Sequence, residues 1–355
     1  MKMICIGDIH TSGFGDDPLV DNLPARLTYI KKSLEYIMDY GRKNGINDYV
    51  ILGDVYHDKT IIYNTSQAML LDFFKQYEDR SFYIISGNHD LSSTGENQKS
   101  AILALGELDN VQCFIQPVII NRNKLINIDT PLFFVPYSGN FLDSIKNFKN
   151  IDPDTILFSH IGLNEAVLQS GLSRVDKLKL SDLKQFKLAI LGHYHKPQDF
   201  GNDQTHVWYA GSLIPRDWND KNEKKRFLVL DTITKEVQSV NLDCNVPQYV
   251  EIVIPPNSSP SFITSEMNRA KWLKSHGDHV RVINKNNPKI KEEDIADLII
   301  LEQQEIDVTN RGITVEQSKI DQCKKYMEIK NIPEDEREEY LNVLNDSKLL
   351  EVIDT

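Results

Sequence analysis

The chain has 355 residues, of which 40% are hydrophobic and 26% are charged. This composition is typical of a globular protein and excludes a disordered or collagen-like chain. A membrane-spanning helix is excluded because no apolar run reaches the roughly 20 residues of a bilayer span. The formal net charge of −12 argues against nucleic acid as a partner, but residues 289–355 alone carry −9 and the remaining body is nearly neutral.

Five short apolar runs predict β-strands, and a polar cluster follows each of them. The runs cover residues 3–6, 49–52, 82–85, 155–158 and 188–191. Leu27, Ile30 and Leu34 recur at helical spacing, and a second helix is predicted near residues 66–77. Strands that alternate with helices indicate an α/β fold. Because open α/β sheets bind ligands beyond the carboxyl ends of their strands, we expect the clusters to meet in one site.

The pattern changes after about residue 242. A small β-α-β unit follows, with a strand, a helix and a strand predicted at residues 249–254, 261–275 and 280–283. From residue 288 onward the chain is charged and is predicted to be mainly helical. We therefore predict three domains, at residues 1–245, 246–288 and 289–355.

Six of the nine histidines lie in the polar clusters, together with two aspartates and one asparagine. The cluster residues are Asp8, His10, Asp54, His57, Asn88, His89, His160, His193 and His195. Side chains two residues apart at an extended strand end face the same way. The aspartate and histidine of DIH therefore point in one direction, and so do the two histidines of HYH. Imidazole, carboxylate and amide oxygen favour Mn, Fe, Zn or Ni over Ca. The pattern predicts a dinuclear metal site, and two ions about 3.5–4 Å apart suit an in-line phosphoryl displacement.

The glycines beside these residues do not form a phosphate-binding loop. They allow tight turns and close backbone approach where strands end at a crowded site. No GxGxxG or GxxxxGK[ST] motif is present, so we expect no nucleotide binding by this chain alone. The histidines outside the clusters, His206, His276 and His279, are interpreted as surface residues.

The motifs DxH, GDxxH, GNHD, an isolated SH and GHxH, in that order, resemble the calcineurin-like metallophosphoesterase superfamily. The resemblance implies an α/β fold, a β-sandwich with βαβαβ motifs flanked by helices. It also implies two sets of ligands. The first metal would be held by Asp8, His10, Asp54 and His195, and the second by Asp54, Asn88, His160 and His193. His89 would not be a ligand, but would contact the scissile phosphate and help to protonate the leaving oxygen.

Within this superfamily, GDVYHDK and GNHD differ from the GDxxDRG and GNHE of protein Ser/Thr phosphatases. Residues 208–231 instead resemble SbcD-type nucleases of the meiotic-recombination-eleven family, in which a GS-P segment is followed by basic residues and a strand. His57 matches a histidine of that family near the DNA end, and we expect it to be catalytic. The residues expected to contact DNA phosphates are Arg216, Lys221, Lys224, Lys225 and Arg226.

The same resemblance implies the function and the partners. It implies a DNA exonuclease and endonuclease that uses two Mn(II) ions to hydrolyse phosphodiester bonds at DNA ends in repair or recombination. The β-α-β unit would cap the DNA, and the C-terminal helices would dock on an SbcC-type SMC-like ABC ATPase. A homodimer is expected through residues 11–25 and 26–44. The early Asp8 and the absence of a CxxC pair favour the cytoplasm of a bacterium or of a phage-infected host.

Alternatives remain open at this point. A phosphodiesterase for small nucleotides would share every metal motif, but it has no evident need for the β-α-β unit and the C-terminal helices. A non-catalytic, metal-stabilised scaffold would not need His89. The basic residues could form a solvated hairpin, because Asp217, Asp220 and Glu223 are interleaved with them. The apolar face predicted at 320–344 could pack on the protein's own body instead of on a partner.

Overall fold

The computed structural model describes residues 1–12, 19–92, 99–122, 129–167, 177–284 and 299–302. The helices in these residues are α1 Ala25–Asn44, α2 Asn64–Gln76, α3 Phe141–Ile145 and α4 Pro260–Ser275. The strands are β1 Lys2–Ile6, β2 Leu19–Val20, β3 Leu23–Pro24, β4 Asp48–Ile51, β5 Ser81–Ile85, β6 Val111–Phe114, β7 Val118–Ile120, β8 Leu132–Val135, β9 Ile156–His160, β10 Leu188–Gly192, β11 Gln198–Gly201, β12 His206–Tyr209, β13 Arg226–Asp231, β14 Val237–Asn241, β15 Tyr249–Ile254, β16 His279–Asn284 and β17 Ile299–Glu302. The predicted α/β fold is confirmed.

Two six-stranded sheets carry most of these strands. The first has the order β14-β13-β1-β4-β5-β6, and its last four strands are parallel. The second has the order β11-β12-β10-β9-β8-β7, and β12, β10, β9 and β8 are parallel. The parallel strands of each sheet therefore end at one edge, and the polar clusters of the sequence follow those ends.

Alternating side chains place the two sheets face to face. In β1, Met3 and Cys5 join the apolar cluster that fills the space between the sheets, whereas Ile4 and Ile6 join the cluster on the opposite face. Helices α1 and α2 cover that opposite face through their apolar sides. Phe141 and Ile145 of α3 pack on the outer face of the second sheet. The predicted β-sandwich with flanking helices is thus present, because strand periodicity of two gives each sheet two apolar faces.

By the density of its contacts, the chain divides into two compact units. The first consists of Met1–Ile252 and Asn268–Arg281 and contains both large sheets. The second consists of Val253–Met267 and the chain from Val282 onward, with buried Ile263 and Val282 among its described residues. The predicted β-α-β elements are observed as β15, α4 and β16. The domain boundaries at 245 and 288 stay predictions.

Most of the predicted C-terminal segment 289–355 lies outside the described residues. The part that is described, β17, is a strand in a sheet of order β15-β16-β17, where mainly helical structure was expected. Its sequence, IILE, begins with two β-branched isoleucines followed by an apolar leucine, and such residues favour a strand. Among the described residues, no helix combines the length and the hydropathy that crossing a lipid bilayer requires.

A contact between α1 and β4 gives the first prediction. Alanine normally stabilises a helix by about 1 kcal/mol relative to glycine. A Cβ atom at Gly41 of α1, however, would lie 1.9 Å from the hydroxyl oxygen of the fully buried Tyr49. We expect Gly41→Ala to lower the free energy of unfolding in urea by about 1–3 kcal/mol, the usual cost of overpacking. Exposed Lys43→Ala on the same helix should change it by less than about 0.5 kcal/mol. A Gly41→Ala protein at least as stable as the native one would contradict this packing.

Candidate metal centre

The residues of the five polar clusters lie at the carboxyl ends of strands from both large sheets. Asp8 and His10 follow β1, Asp54 and His57 follow β4, Asn88 and His89 follow β5, His160 ends β9, and His193 and His195 follow β10. The first three strands belong to one sheet and the last two to the other. The structure therefore brings residues that are far apart in sequence into one cluster.

The first group of this cluster is formed by Asp8, His10 and His195. The Nε2 atoms of His10 and His195 are 3.0 Å apart, and His195 Nε2 is 3.5 Å from Asp8 Oδ2. Asp8 and His10 are fully buried, while His195 is partly exposed. Asp8 also accepts hydrogen bonds from the backbone N–H of His193 at 3.1 and 3.2 Å. One carboxylate and two imidazoles thus converge, and these are three of the four ligands that the resemblance implies for the first metal.

The second group is formed around Asn88. Its Oδ1 lies 3.0 Å from both His160 Nε2 and His193 Nδ1. Asp54 Oδ2 lies 3.4 Å from His160 Nε2 and 3.5 Å from His10 Nε2, which belongs to the first group. A single carboxylate oxygen therefore lies beside an imidazole of each group, and Asp54 would be the residue that contributes to holding both ions.

Unusual backbone conformations hold these side chains. His10, Asp54 and His193 have φ values of 51°, 49° and 97°, in the left-handed region that L residues rarely adopt. Gly53 has φ 91°, and a Cβ atom there would lie 2.5 Å from His160 Nδ1. The backbone N–H of His10 donates to the carbonyl of Asp54 at 2.8 Å. The loops after β1 and β4 are thus fixed to each other at their ligand positions.

Burial and neighbouring charges set the protonation of the cluster. Burial, together with the Arg216 guanidinium, lowers the pKa of His195 well below its usual range, and His10 is shifted in the same direction by its burial. Burial would also lower the pKa of His160, but the charges of Asp54 and Asp8 outweigh it and raise the pKa to about 9. His10 and His195 are therefore neutral, with lone pairs available, whereas a metal ion at His160 has to displace a proton.

The donor set fits divalent transition-metal ions. Four imidazoles, two carboxylates and one amide oxygen converge, and this mixture suits Mn, Fe or Zn better than the all-oxygen preference of Ca. Asp8, His10 and His195 form one group whose ligand atoms lie within 4.8 Å of one another, and Asp8, Asp54 and His160 form another. The side chains present are thus those that two divalent ions would require.

Beside the two groups lie His57, His89 and Arg216. His89 Nδ1 donates to the backbone carbonyl of His57, and the two rings stack with centroids 5.8 Å apart. Burial and Arg216 lower the pKa of His57 to about 4, so its ring is neutral. Arg216 Nη2 donates to His57 Nδ1 at 3.0 Å, and Nη1 lies 3.3 Å from the Nε2 atoms of His10 and His195. A guanidinium is thus part of the centre.

A network of buried charges fixes the Arg216 backbone. Its N–H donates to Asp220 Oδ2 at 2.6 Å, and its carbonyl accepts from the Tyr249 hydroxyl at 3.2 Å. Asp220 pairs with Lys225 at 2.9 Å, and Lys225 also donates to the backbone carbonyl of His195 at 3.2 Å. Lys225 is only 4% exposed. This lysine therefore joins the Arg216 loop to a predicted metal ligand and does not reach the surface.

The other basic residues predicted to contact DNA have different surroundings. Lys224 is exposed, and Lys221 pairs with Glu251 at 2.6 Å. The half-buried Arg226 donates to the carbonyls of Tyr209 and Gln198 at 2.8 and 3.1 Å. The placement of Lys225 and Arg226 thus gives no support to DNA contact, because their charges are engaged within the fold.

The sequence analysis assigned no role to two residues near the centre, Asp90 and Tyr137. Asp90, the last residue of GNHD, is buried and accepts hydrogen bonds from the backbone N–H groups of Tyr56 and Gly87. Tyr137 has its ring 6.2 Å from those of His160 and His193. A signal existed for Tyr137, because LFFVPY is a sixth apolar run with polar residues at its carboxyl end. For Asp90 the motif was recognised, but its last residue was given no role.

Comparisons with known proteins agree with this geometry at the level of a family. The model of the calcineurin-like phosphoesterase family matches residues 1–197, more than half of the chain. No curated protein matches the chain.

Solved structures show weaker likenesses. An archaeal phosphodiesterase is 13% identical with a TM-score of 0.34, covering 68% of this chain and 99% of its own. A hypothetical protein of Pyrococcus horikoshii OT3 is 12% identical with a TM-score of 0.39, covering 78% and 98%. GAP50, the anchor in the inner membrane complex of Plasmodium, is 13% identical with a TM-score of 0.45, covering 68% and 88%. Likenesses this distant carry no argument about activity.

The geometry of the first group predicts the effect of removing one imidazole. His195→Ala removes a nitrogen that lies 3.0 Å from His10 Nε2. We expect the affinity of metal-stripped protein for Mn(II), measured by calorimetry, to fall by at least roughly 10–100-fold, the range known for mere supporting residues of metal sites. The control is His206→Ala, on the exposed side of β12, which should bind as the native protein does. Equal binding by both variants would exclude His195 as a ligand.

Proposed function

The chain belongs to the calcineurin-like phosphoesterase family of metal-dependent hydrolases, and we propose that it is a manganese-dependent DNA nuclease. It hydrolyses phosphodiester bonds at DNA ends, as exonuclease and endonuclease, in repair or recombination. The observation that carries this proposal is Arg216, whose guanidinium lies among the predicted metal ligands, yet forms no salt bridge with any carboxylate of the described residues. Its positive charge is available to a phosphate.

Arg216 suits a phosphodiester for a geometric reason. A guanidinium presents several N–H donors in a fixed plane that matches two phosphate oxygens. The buried Asp220 and the Tyr249 hydroxyl hold its backbone, so the side chain is directed into the centre before substrate binds. Donors fixed in advance stabilise the charge that develops on phosphate oxygens during hydrolysis. Exposed Lys224 lies on the same segment, where the next phosphates of a polymer can be bound.

The residues of the centre have different roles in the proposed hydrolysis. Two divalent ions, when bound by the seven predicted ligands, supply Lewis acidity and an activated water. His89 donates through Nδ1 to the His57 carbonyl, so Nε2 is the nitrogen available to the reaction. We propose that Nε2 of the protonated His89 ring donates its proton to the leaving oxygen. The neutral His57 ring carries its proton on Nε2, since its Nδ1 accepts from Arg216.

The remaining parts of the proposal rest on the sequence resemblance. The ions are Mn(II), the β-α-β unit caps DNA, and the chain forms a homodimer through residues 11–25 and 26–44. Residues 289–355 bind an SMC-like ABC ATPase of the SbcC type, which fits the absence of any ATP-binding motif in this chain. The complex works in the cytoplasm.

The nuclease proposal is tested with end-labelled linear duplex DNA. Metal-stripped protein given Mn(II) should release nucleotides, and His89→Ala should slow release by roughly 10²–10⁴-fold, the usual contribution of general acid catalysis. Exposed His206→Ala is the matched control and should cut at the native rate. Hydrolysis of bis(p-nitrophenyl) phosphate without hydrolysis of DNA would replace the nuclease with a small-nucleotide phosphodiesterase. Hydrolysis of neither substrate would indicate a non-catalytic scaffold.

The role of Arg216 is tested by the salt dependence of DNA binding. In a His89→Ala background, Arg216→Gln should weaken DNA binding and reduce the slope of log K against log salt by about one, because one phosphate contact is lost. Arg122→Gln, at an exposed site paired with Asp152, should leave both quantities unchanged. An unchanged slope in Arg216→Gln would remove Arg216 from the phosphate contacts.

The proposed partner is tested by a truncation that spares β17. A chain ending at Glu302 keeps the last described strand and loses most of the acidic segment. We expect it to hydrolyse bis(p-nitrophenyl) phosphate at the native rate but not to bind the ATPase in a pull-down. Binding at the native level would show that the ATPase contacts another part of the chain.

A further inference from the structure

Asp90 connects two loops that carry the chemistry of the centre. It is 1% exposed, and its two carboxylate oxygens accept from two backbone groups. Oδ1 accepts from the N–H of Tyr56 at 3.0 Å, and Oδ2 accepts from the N–H of Gly87 at 2.8 Å. Tyr56 lies in the loop after β4 and Gly87 in the loop after β5, so this side chain joins the two loops.

The loop held at Tyr56 also determines where the His89 ring lies. His57 follows Tyr56 directly, and its carbonyl accepts the hydrogen bond from His89 Nδ1. The backbone N–H of His89 donates to Asp54 Oδ1 at 2.8 Å. The position of His89 therefore depends on two fixed points, Asp54 at its backbone and the His57 carbonyl at its ring. Asp90 acts on the second of these points through the Tyr56 N–H.

The choice of a carboxylate at this position has a chemical reason. Both N–H groups belong to residues beyond the strand ends, where no neighbouring strand accepts from them. Asp90 forms no ion pair with a cation in the described part of the chain, so its burial is costly unless both oxygens are used. Asparagine has only one oxygen and would turn an NH₂ group toward one of the two donors.

We propose that Asp90 is a positioning residue that orients the imidazole of His89 through the Tyr56–His57 segment. This inference rests on the role given to His89 in phosphoester hydrolysis, and it is independent of whether the substrate is DNA. A displacement of about 1 Å at a reacting group can slow catalysis by roughly 100-fold without a change in binding. Asp90 should therefore control kcat through His89.

The test is a double-mutant cycle with bis(p-nitrophenyl) phosphate as substrate. Asp90→Asn should lower kcat by roughly 10–100-fold and change KM by less than about threefold. In a His89→Ala background, the same substitution should lower kcat by less than about threefold, because residues that act as one unit are not additive. The control is Asp231→Asn, since Asp231 at the end of β13 also accepts from two backbone N–H groups, those of Ile233 and Thr234, both through Oδ1. It should leave kcat and KM unchanged.

Each other outcome overturns the inference. Equal losses in both backgrounds would mean that Asp90 acts on the ligands or on the fold instead of on His89, and a loss of bound ions in Asp90→Asn would lead to the same conclusion. A native kcat in Asp90→Asn, with a lowered kcat in His89→Ala, would reject the positioning role and leave the hydrolase mechanism in place. A native kcat in His89→Ala would reject both.

A measurement on the native protein covers the case in which Asp90→Asn does not fold. A carbonyl oxygen only accepts, so the hydrogen bond to His57 requires a proton on His89 Nδ1. The ¹⁵N spectrum of histidine-labelled protein, with the His89 signals assigned by their loss in His89→Gln, reports which nitrogen carries the proton. A protonated Nδ1 is the expected result, and a His89 ring protonated only at Nε2 would overturn the inference.

Discussion

The carboxylate of Asp54 is the point on which the centre depends. One oxygen accepts from the backbone N–H of His89, and the other lies within 3.5 Å of imidazoles supplied by both large sheets, His10 and His160. Burial alone would raise the pKa of Asp54, but the charge of His160 and a hydrogen bond with its ring hold that pKa well below its usual range. The ionised carboxylate thus orders both groups of ligands, and it stays ionised in this buried position because the strand ends bring His160 beside it.

The cost of burying these charges explains why the surrounding loops are so closely joined. Asp8, Asp54, Asp90 and Asp220 are each 2% exposed or less. Each of them accepts from backbone N–H groups, those of His193, of His89, of Tyr56 and Gly87, and of Arg216. A buried carboxylate without such partners would be unstable. The result is a set of ligands whose positions are fixed before an ion or a substrate binds, which is the condition for electrostatic catalysis.

Much of the fold could be predicted because its signals are local. The apolar face of α1, with Leu27, Ile30 and Leu34, follows from a period of 3.6 residues, and all three are buried against the first sheet. The alternation of apolar runs and polar clusters predicted the five strand ends, and the observed β15, α4 and β16 match the predicted β-α-β unit to within two residues. The strand β17 was missed, because a short apolar run in a charged segment was interpreted together with neighbours that were predicted to be helical.

The sequence by itself determined which residue types stand at the strand ends, and therefore the kind of chemistry. Only the tertiary structure decided which charged side chains lie where they can take part in that chemistry. Arg216, Lys225 and Arg226 look alike in sequence, yet the first enters the centre, the second is buried against Asp220, and the third donates to the carbonyl of Tyr209. Asp90 accepts a hydrogen bond from a backbone group 34 residues away, which the sequence alone does not indicate. The reason is that periodicity records which face of an element is apolar, whereas the partner of a polar side chain is set by segments that meet only when the chain folds.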